Sequence, residues 1–319
     1  MLSILANLLL WSILGCLGRI ALIELTNYPH SYINTGINIG TCLWVNFAAC
    51  LIISAINRNR IPNKNDNSKG PLYIGLTVGF CGTLSTFSSL IMEASLKAFD
   101  ISDGTHDMRY KNSAYGIMEW LSVILVQFGV SSLGFLIGQT INIQEYLGYV
   151  TKYRTPENDR YFRYAVIIGS ILLLLLILFL AIFLPDSNFF RHWATSICFA
   201  PVGCFLRYFL SQQLNGTLKR TGIFLGTLIC NLVAVLVESI CFLLLRISLI
   251  TRKTDITVLN SIIVGFCGTL STTSTLMVEL ASLTPVHRYK YFTASVFLSF
   301  LFPVLIIGVY NWTRGLSPD

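Results

Sequence analysis

The sequence predicts an all-α polytopic membrane protein in which two inverted four-helix repeats are joined by one linking transmembrane helix. Composition indicates the class: 54% of the 319 residues are hydrophobic and only 12% are charged, a balance that is not typical of water-soluble domains. An internal duplication indicates the architecture. The octapeptide GFCGTLST at residues 79–86 recurs unchanged at residues 265–272, 186 positions later.

Apolar runs of about 20 residues, long enough to cross a hydrocarbon core of about 30 Å, mark nine candidate spans. Their predicted bounds are Leu5–Leu25, Gly36–Ile56, Pro71–Leu96, Gly116–Gly138, Tyr164–Leu184, Arg191–Ser211, Ile223–Leu245, Val258–Leu283 and Tyr291–Tyr310. The first run does not match a secretory signal, because it has no basic n-region and carries Arg19 within its apolar stretch. We therefore keep it as a span.

Landmarks on either side of the octapeptide extend the duplication to two whole halves. The matching pairs are Arg19 with Arg207, Asn46 with Asn231, and Glu93 with Glu279. The fifth apolar run has no counterpart, and one extra span turns the second four-helix unit upside down. The chain is thus divided into a first repeat at residues 1–140, a cytoplasmic loop with the linking helix at 141–190, and a second, inverted repeat at 191–319.

Basic residues predict the orientation. If the N-terminus is cytoplasmic, the loops on that side carry twelve Lys and Arg residues and the opposite loops carry eight. The twelve are Arg58, Arg60, Lys64, Lys69, Lys152, Arg154, Arg160, Arg163, Lys219, Arg220, Arg288 and Lys290. Because cytoplasmic loops are enriched in basic residues, we expect a cytoplasmic N-terminus and an extracellular C-terminus. The net charge of +7 is then mostly an orientation signal, and no basic tract suggests nucleic-acid binding.

Motifs of soluble enzymes are missing from the sequence. The nine cysteines all lie in apolar runs without a CxxC pair, and the chain has no HExxH, P-loop or Ser-His-Asp set. We expect the cysteines to be small packing residues and the protein not to be an enzyme. The polar residues inside the spans are left to carry the function.

Two arginines, Arg19 and Arg207, lie inside predicted spans at matching positions. Inserting a guanidinium near the centre of a membrane helix costs at least about 2.5–3.5 kcal/mol. Its presence at equivalent positions in both halves therefore indicates a structural or functional role. One interpretation is structural: the side chains snorkel or pair with Glu24 or another carboxylate. The other is functional: a fixed positive potential draws an anion toward a pore entrance. Both interpretations stay open.

Asn46 and Asn231 are the second repeated pair of intramembrane polar residues. An amide inside a span can hold two helices together. It also offers two N–H donors, which suit an anion that must shed water without meeting a full charge that would trap it.

The repeated octapeptide predicts a broken helix in each half, because Gly, Thr and Ser interrupt the apolar run. The C-terminus of one half-helix offers carbonyl oxygens to a cation, and the N-terminus of the next offers N–H groups to an anion. If the breaks meet back to back, four such carbonyls would suit a sodium ion. Phe87 follows the first break, where the positive edge of its ring suits a small anion; packing in the core is the alternative.

These features together resemble the fluoride channel family, in its single-chain, duplicated eukaryotic form. The motif GFCGTLSTFS at residues 79–88 is the specific part of the resemblance, which covers nearly the whole chain. It implies a pseudo-dimer in the plasma membrane with two antiparallel pores and passive, selective fluoride export. By motif position it places a structural sodium ion on the carbonyl oxygens of Gly82, Ser85, Gly268 and Ser271. The implied anion pore residues are Asn46, Asn231, Thr86, Phe87, Thr272 and Thr273.

The halves depart from the family pattern, which has two phenylalanines three residues apart. The first half has Phe87 but Leu90, and the second has Thr273 and Leu276. We therefore expect one of the two pores to be degraded or retained for structure. The alternative function is a proton-coupled transporter of a small anion, in which Glu93 and Glu279 carry protons instead of serving as structural or pore-entrance charges.

Overall fold

The computed structural model describes residues 1–28, 41–59, 70–101, 110–142, 160–185, 189–217, 222–247 and 252–316, and every regular element in these ranges is helical. The α-helices are α1 Leu2–Thr26, α2 Leu43–Arg58, α3 Pro71–Ile74, α4 Gly82–Leu84, α5 Ser88–Ala98, α6 Ser113–Thr140, α7 Arg160–Phe183, α8 Phe189–Leu214, α9 Leu225–Arg246, α10 Lys253–Ser261, α11 Gly268–Leu270, α12 Thr273–Ser282, α13 Pro285–Pro303 and α14 Val309–Arg314. Three π-helical segments, Gly75–Cys81, Ile262–Cys267 and Val304–Gly308, connect α3 to α4, α10 to α11 and α13 to α14. A short 3₁₀ turn, Asn215–Thr217, follows α8.

The all-helical membrane class is confirmed. Within the described ranges, eight helical spans are long and apolar enough to cross a bilayer. The predicted second span is represented by α2, which has 16 residues. Its predicted start, residues 36–40, lies outside the described residues, as do most of the basic loop positions used for orientation. The count of nine spans therefore stays a prediction.

The linking helix α7 lies at the periphery of the bundle. It has the highest mean hydropathy of the eight spans, 3.3, and most of its side chains are exposed, as suits a helix that faces lipid. Its buried side packs against α1 and α8, with Ile177 in a cluster that includes Ile13 and Ile197. The two halves thus share one core beneath α7.

The two broken spans, Pro71–Ala98 and Lys253–Ser282, are the most buried of the eight. Each passes from a π-helical segment through one short α-helical turn to a serine in extended backbone conformation. The dihedral angles are φ −81°, ψ 156° at Ser85 and φ −82°, ψ 156° at Ser271. The duplicated sequence therefore adopts duplicated local geometry, and within these two spans the helix breaks at residues that neighbouring protein buries.

Glycines allow the flanking helices to approach these spans closely. A Cβ atom at Gly15 of α1 would lie 2.6 Å from the carbonyl oxygen of Phe80, and one at Gly203 of α8 would lie 2.7 Å from that of Phe266. Only glycine fits at such backbone contacts between membrane helices. The same substitution-intolerant contact thus occurs once in each half.

Candidate functional site

The two helix breaks meet in the protein interior and cap each other. Ser85 Oγ donates a hydrogen bond to Ser274 Oγ at 2.9 Å, and Ser271 Oγ donates to Ser88 Oγ at 2.9 Å. The same serine pairs are also joined through backbone N–H groups. The N–H of Ser274 donates to Ser85 Oγ at 3.1 Å, and the N–H of Ser88 donates to Ser271 Oγ at 3.0 Å. Each serine therefore satisfies the N-terminal end of the opposite half-helix.

Asn46 and Asn231 clamp the breaks from the second helix of each half. Asn46 Nδ2 donates to the Thr86 carbonyl oxygen at 3.0 Å, while the Thr86 N–H donates to Asn46 Oδ1 at 2.9 Å. In the second half the Thr272 N–H donates to Asn231 Oδ1 at 2.9 Å, and Asn231 Nδ2 lies 3.5 Å from the Thr272 carbonyl oxygen. The amides thus position the broken backbone and use one of their two N–H donors to do so.

Arg207 reaches from α8 across to the break of the first half. Its Nη1 donates to the carbonyl oxygens of Gly82 at 2.5 Å and Ser271 at 3.3 Å, and its Nη2 donates to that of Val78 at 2.6 Å. The guanidinium is buried. The guanidinium of Arg207 thus hydrogen-bonds to backbone carbonyl oxygens of both halves.

Arg19 of α1 makes the corresponding contact with the break of the second half. Its Nη2 donates to the carbonyl oxygen of Val264, the counterpart of Val78, and its Nη1 donates to that of Thr83 at 2.9 Å. Both arginines therefore bind backbone at the crossing, and neither snorkels. Their partners are carbonyl oxygens and not the carboxylate considered from the sequence, and whether they also attract an anion stays a prediction.

The first π-helical segment explains why the Val78 carbonyl oxygen accepts from Arg207. The Gly82 N–H donates to the carbonyl oxygen of Thr77, five residues earlier in the chain, whereas the Ser85 N–H donates to that of Cys81, four residues earlier. This change from π to α pairing leaves one carbonyl oxygen between them without an N–H donor. Arg207 supplies that donor at Val78, and a buried carbonyl is thereby satisfied.

A cavity of about 470 Å³ leads from one end of the bundle to the crossing. Its mouth lies where α1 and α9 end and where α8 and α10 begin, and its deep end reaches Thr86, Ser89 and Gly268. The lining residues are Arg19, Ile20, Ile23, Glu24, Cys42, Thr86, Ser89, His192, Phe242, Leu245, Arg246, Ile256, Asn260, Ile263, Val264 and Gly268. Thr86 Oγ1 donates to Ser89 Oγ at 3.2 Å, so adjacent hydroxyl groups face the cavity floor.

Glu93 is buried and tied to its own half. Gln127 Nε2 donates to Glu93 Oε2 at 2.8 Å, and the Cys42 thiol lies 3.8 Å from the same oxygen. The carboxylate therefore joins α5 to α6 and to the start of α2.

Glu279 is the counterpart of Glu93. Thr227 Oγ1 donates to Glu279 Oε1 at 2.6 Å, and the Tyr291 hydroxyl donates to Glu279 Oε2 at 2.7 Å. Both repeated glutamates thus accept hydrogen bonds from neighbouring helices.

Phe87 and Thr273 occupy equivalent positions but have different surroundings. Phe87 is fully buried and its ring centroid lies 6.3 Å from that of Phe128. Thr273 Oγ1 instead donates to the Thr86 carbonyl oxygen at 3.0 Å. The halves are therefore chemically unequal beside the crossing, as the sequence predicts.

Sequence reasoning did not single out every residue that builds this site. Ser88 and Ser274 share the repeat offset, so the duplication itself contained a signal for their reciprocal capping. Gln127 and Tyr291 differ in residue type between the halves, and no pattern pointed to them. Glu238, on α9, likewise has no acidic counterpart in the first half.

Comparisons with known proteins agree with the duplicated architecture. The family described as CrcB-like protein, Camphor Resistance (CrcB), matches residues 6–138 and again residues 194–309. The chain is 37% identical to fluoride export protein 1 of Candida albicans over 98% of its own length and 81% of that protein. It is 28% identical to fluoride export protein 1 of Saccharomyces cerevisiae, over 96% of this chain and 92% of the relative.

A third relative, fluoride export protein 1 of Schizosaccharomyces pombe, is 28% identical over 96% of both chains. No solved structure matches the chain. Because the family profile covers both halves and a relative above 30% identity spans nearly the whole chain, the protein belongs to the CrcB family.

Proposed function

We propose that the protein exports fluoride across a membrane as a passive, selective channel and is not an enzyme. The observation that carries this proposal is the crossing of two broken helices, whose Thr86 and Ser89 hydroxyl groups lie at the deep end of a cavity open to one face. Neutral hydroxyl and amide donors replace the water around a small anion without holding it as tightly as a full charge does. The names of three similar proteins, all fluoride export proteins, agree with this assignment.

The proposed architecture is an inverted repeat of nine spans in a single-chain pseudo-dimer. Glu24 near the end of α1 and His192 near the start of α8 line the same cavity mouth, so the first helices of the two halves run in opposite directions. The hydrogen bonds at the crossing pair residues reciprocally, as a two-fold axis requires. If α2 crosses the membrane together with the eight longer spans, the total is nine.

The two candidate pathways differ in composition. Helix α5, which follows Phe87, packs against α9, which carries Asn231, whereas α12, with Thr273 at its start, packs against α2, which carries Asn46. We assign conduction to the pathway between α5 and α9, because it keeps the aromatic ring and adjoins the cavity. The second pathway is the degraded one in this proposal.

The resemblance also implies a sodium ion at the crossing, and we leave this ion out of the proposal because of the contacts of Arg207. Of the four carbonyl oxygens in question, those of Gly82 and Ser271 already accept from Arg207. As placed, these residues do not fit a sodium ion, because the cation would lie against a buried guanidinium of like charge. No step of the proposed function depends on sodium.

The proposed setting is the plasma membrane, with a cytoplasmic N-terminus and an extracellular C-terminus, as the distribution of basic residues favours. With a cell interior negative by about 100 mV, worth about 2.3 kcal/mol per charge, a passive anion channel suffices to expel fluoride. The proton-coupled alternative is not favoured, because Glu93 and Glu279 accept hydrogen bonds within the helix bundle.

Purified protein in liposomes loaded with potassium fluoride tests this function. We expect valinomycin to trigger rapid fluoride efflux, a chloride-loaded control to show none, and the rate to follow the electrochemical gradient without a proton stoichiometry. In cells, deletion should cause fluoride hypersensitivity that is strongest in acid medium, where HF enters and dissociates. Equal chloride and fluoride efflux, or coupled proton movement, would contradict the channel assignment.

A further inference from the structure

Glu238 of α9 is the one glutamate of the described spans whose buried carboxylate oxygens both have no hydrogen-bond partner among the described residues. It lies two helical turns beyond Asn231 on the same helix. An unpaired ionised carboxylate is far more costly at such depth than one that is hydrogen-bonded as Glu93 and Glu279 are. Glu238 therefore differs from Glu93 and Glu279, whose carboxylates accept well-formed hydrogen bonds from neighbouring helices.

The surroundings of Glu238 place it beside the proposed fluoride pathway. The hydroxyl groups of Ser88 and Ser89, at the start of α5, and the guanidinium of Arg19 are the polar groups close enough to act on the carboxylate. Ser89 and Arg19 both line the cavity, as does Phe242, one turn after Glu238 on α9. The carboxylate thus lies next to the deep end of the cavity.

The remaining ionisable neighbours come from several helices. Three thiols lie close enough to interact electrostatically with Glu238. They belong to Cys42 at the start of α2, Cys241 on α9 and Cys267 in the second π-helical segment. Glu93 on α5 acts on the same Cys42 thiol, and His192 and Arg246 lie farther out at the cavity mouth. Arg19 is therefore the only nearby cation among the described residues that act on Glu238, and it is already bonded to carbonyl oxygens.

This acidic group exists in one half alone. The spacing of Asn46 and Asn231 makes Ile53 of α2 the counterpart of Glu238, and Ile53 is buried and apolar. The carboxylate is therefore not a part of the repeated scaffold. It belongs to the pathway between α5 and α9 only.

We propose that Glu238 is a proton-dependent gate on that pathway, an inference that rests on the proposed fluoride function. When Glu238 is ionised, its negative charge beside Ser88 and Ser89 opposes the passage of fluoride. When it holds a proton taken from water in the cavity, the repulsion disappears and the carboxyl O–H joins the serine hydroxyl groups as a donor to the anion. The proton stays on Glu238 while fluoride passes, so transport remains passive.

Liposome efflux at matched internal and external pH tests the gate. For the wild type we expect the fluoride rate to fall several-fold between about pH 6 and about pH 8, after subtraction of leak from protein-free vesicles. Glu238→Gln keeps the shape and offers amide N–H donors in place of the carboxyl O–H but cannot ionise, so its rate should be independent of pH and close to that of the wild type at the acid end. Glu119→Gln, a carboxyl variant on α6 away from the cavity, should keep the wild-type profile.

Glu238→Ile, which introduces the residue found at the equivalent position of the first half, is a second variant in case the glutamine variant misfolds. It should also lose the pH dependence. A wild-type rate that does not change with pH would overturn the gate, as would a Glu238→Gln protein that keeps the wild-type profile. Absence of fluoride efflux from the wild type at every pH would instead overturn the proposed function.

Discussion

Arg207 Nη1 donates a hydrogen bond to the carbonyl oxygen of Gly82, 125 residues earlier in the chain, at 2.5 Å. The contact joins the first helix of one half to the repeated motif of the other. It explains two sequence features together: the arginine supplies a donor to backbone that helix breaks leave unsatisfied, and the glycine leaves room for the guanidinium.

The first prediction concerns the shape of this donor. Arg207→Lys keeps the charge but replaces the planar fork, whose two nitrogens donate separately to Gly82 and Val78, with one nitrogen on a shorter side chain, so we expect at least one of these carbonyl oxygens to lose its donor. Each buried carbonyl left unsatisfied costs about 1–3 kcal/mol, so we expect a clearly lower melting temperature by fluorescence-detected size-exclusion chromatography. Arg160→Lys, at an exposed position on α7, is the control and should melt like the wild type. Equal melting of both variants would show that the fork is dispensable.

The second prediction concerns the glycines of the motif. A Cβ atom at Gly82 would collide with the Arg207 guanidinium, and one at Gly268 with that of Arg19. Neither guanidinium can move aside without losing its hydrogen bonds to buried carbonyl oxygens. We expect Gly82→Ala and Gly268→Ala to destabilise the protein by about 1–3 kcal/mol each, from either half alike. Gly129→Ala in α6, where nothing lies within 4 Å, should be neutral or slightly stabilising. Thermal melting of the three variants checks the contrast, and a stable Gly82→Ala protein would contradict it.

The third prediction tests the inequality of the two pathways. Phe87→Ile removes the aromatic ring from the pathway beside the cavity and should largely abolish fluoride resistance. Thr273→Ile, at the equivalent position, should be mild. Growth on fluoride with protein levels measured in parallel distinguishes the two. Equal loss at normal expression would favour two working pores.

The fourth prediction concerns the amide clamps. Asn46→Asp and Asn231→Asp each replace the N–H donor facing a threonine carbonyl with a carboxylate oxygen, so both should lower stability. Fluoride efflux per folded molecule should fall much more for Asn231→Asp, because α9 lines the proposed conducting pathway and the new charge repels the anion. The efflux of purified variants, normalised to monodisperse protein, gives this comparison. A larger loss in Asn46→Asp would move conduction to the other pathway.

The fifth prediction concerns orientation. The sequons begin at Asn215, on the side proposed to be cytoplasmic, and at Asn311, on the side proposed to be extracellular but close to the membrane. Asn215 Oδ1 also accepts from the Gly226 N–H at 2.8 Å, which holds this side chain against the protein. We expect endoglycosidase treatment to cause no mobility shift that depends on Asn215, with Asn215→Gln as the control. A glycan on Asn215 would reverse the proposed topology.

The membrane class, the duplication and the polar pairs were all predictable from sequence, because each is a property of residue order. The length of a hydrophobic run indicates whether it can cross a bilayer. The identical octapeptide GFCGTLST in both halves indicates a repeated structure. Arg19, Arg207, Asn46 and Asn231 were singled out because burying polar groups in lipid is costly wherever the helices lie.

The partners of those residues depended on tertiary structure. Sequence left open whether Arg207 pairs with a carboxylate, and the crossing of two broken spans decided that it binds Gly82 and Val78. Residue order alone does not say which asparagine accompanies Phe87, and the packing of α5 against α9 favours Asn231. The isolated acid Glu238 became informative only once its unsatisfied oxygens could be located. The physical reason is that sequence determines how costly a buried polar group is, whereas only three-dimensional packing determines which atoms offset that cost.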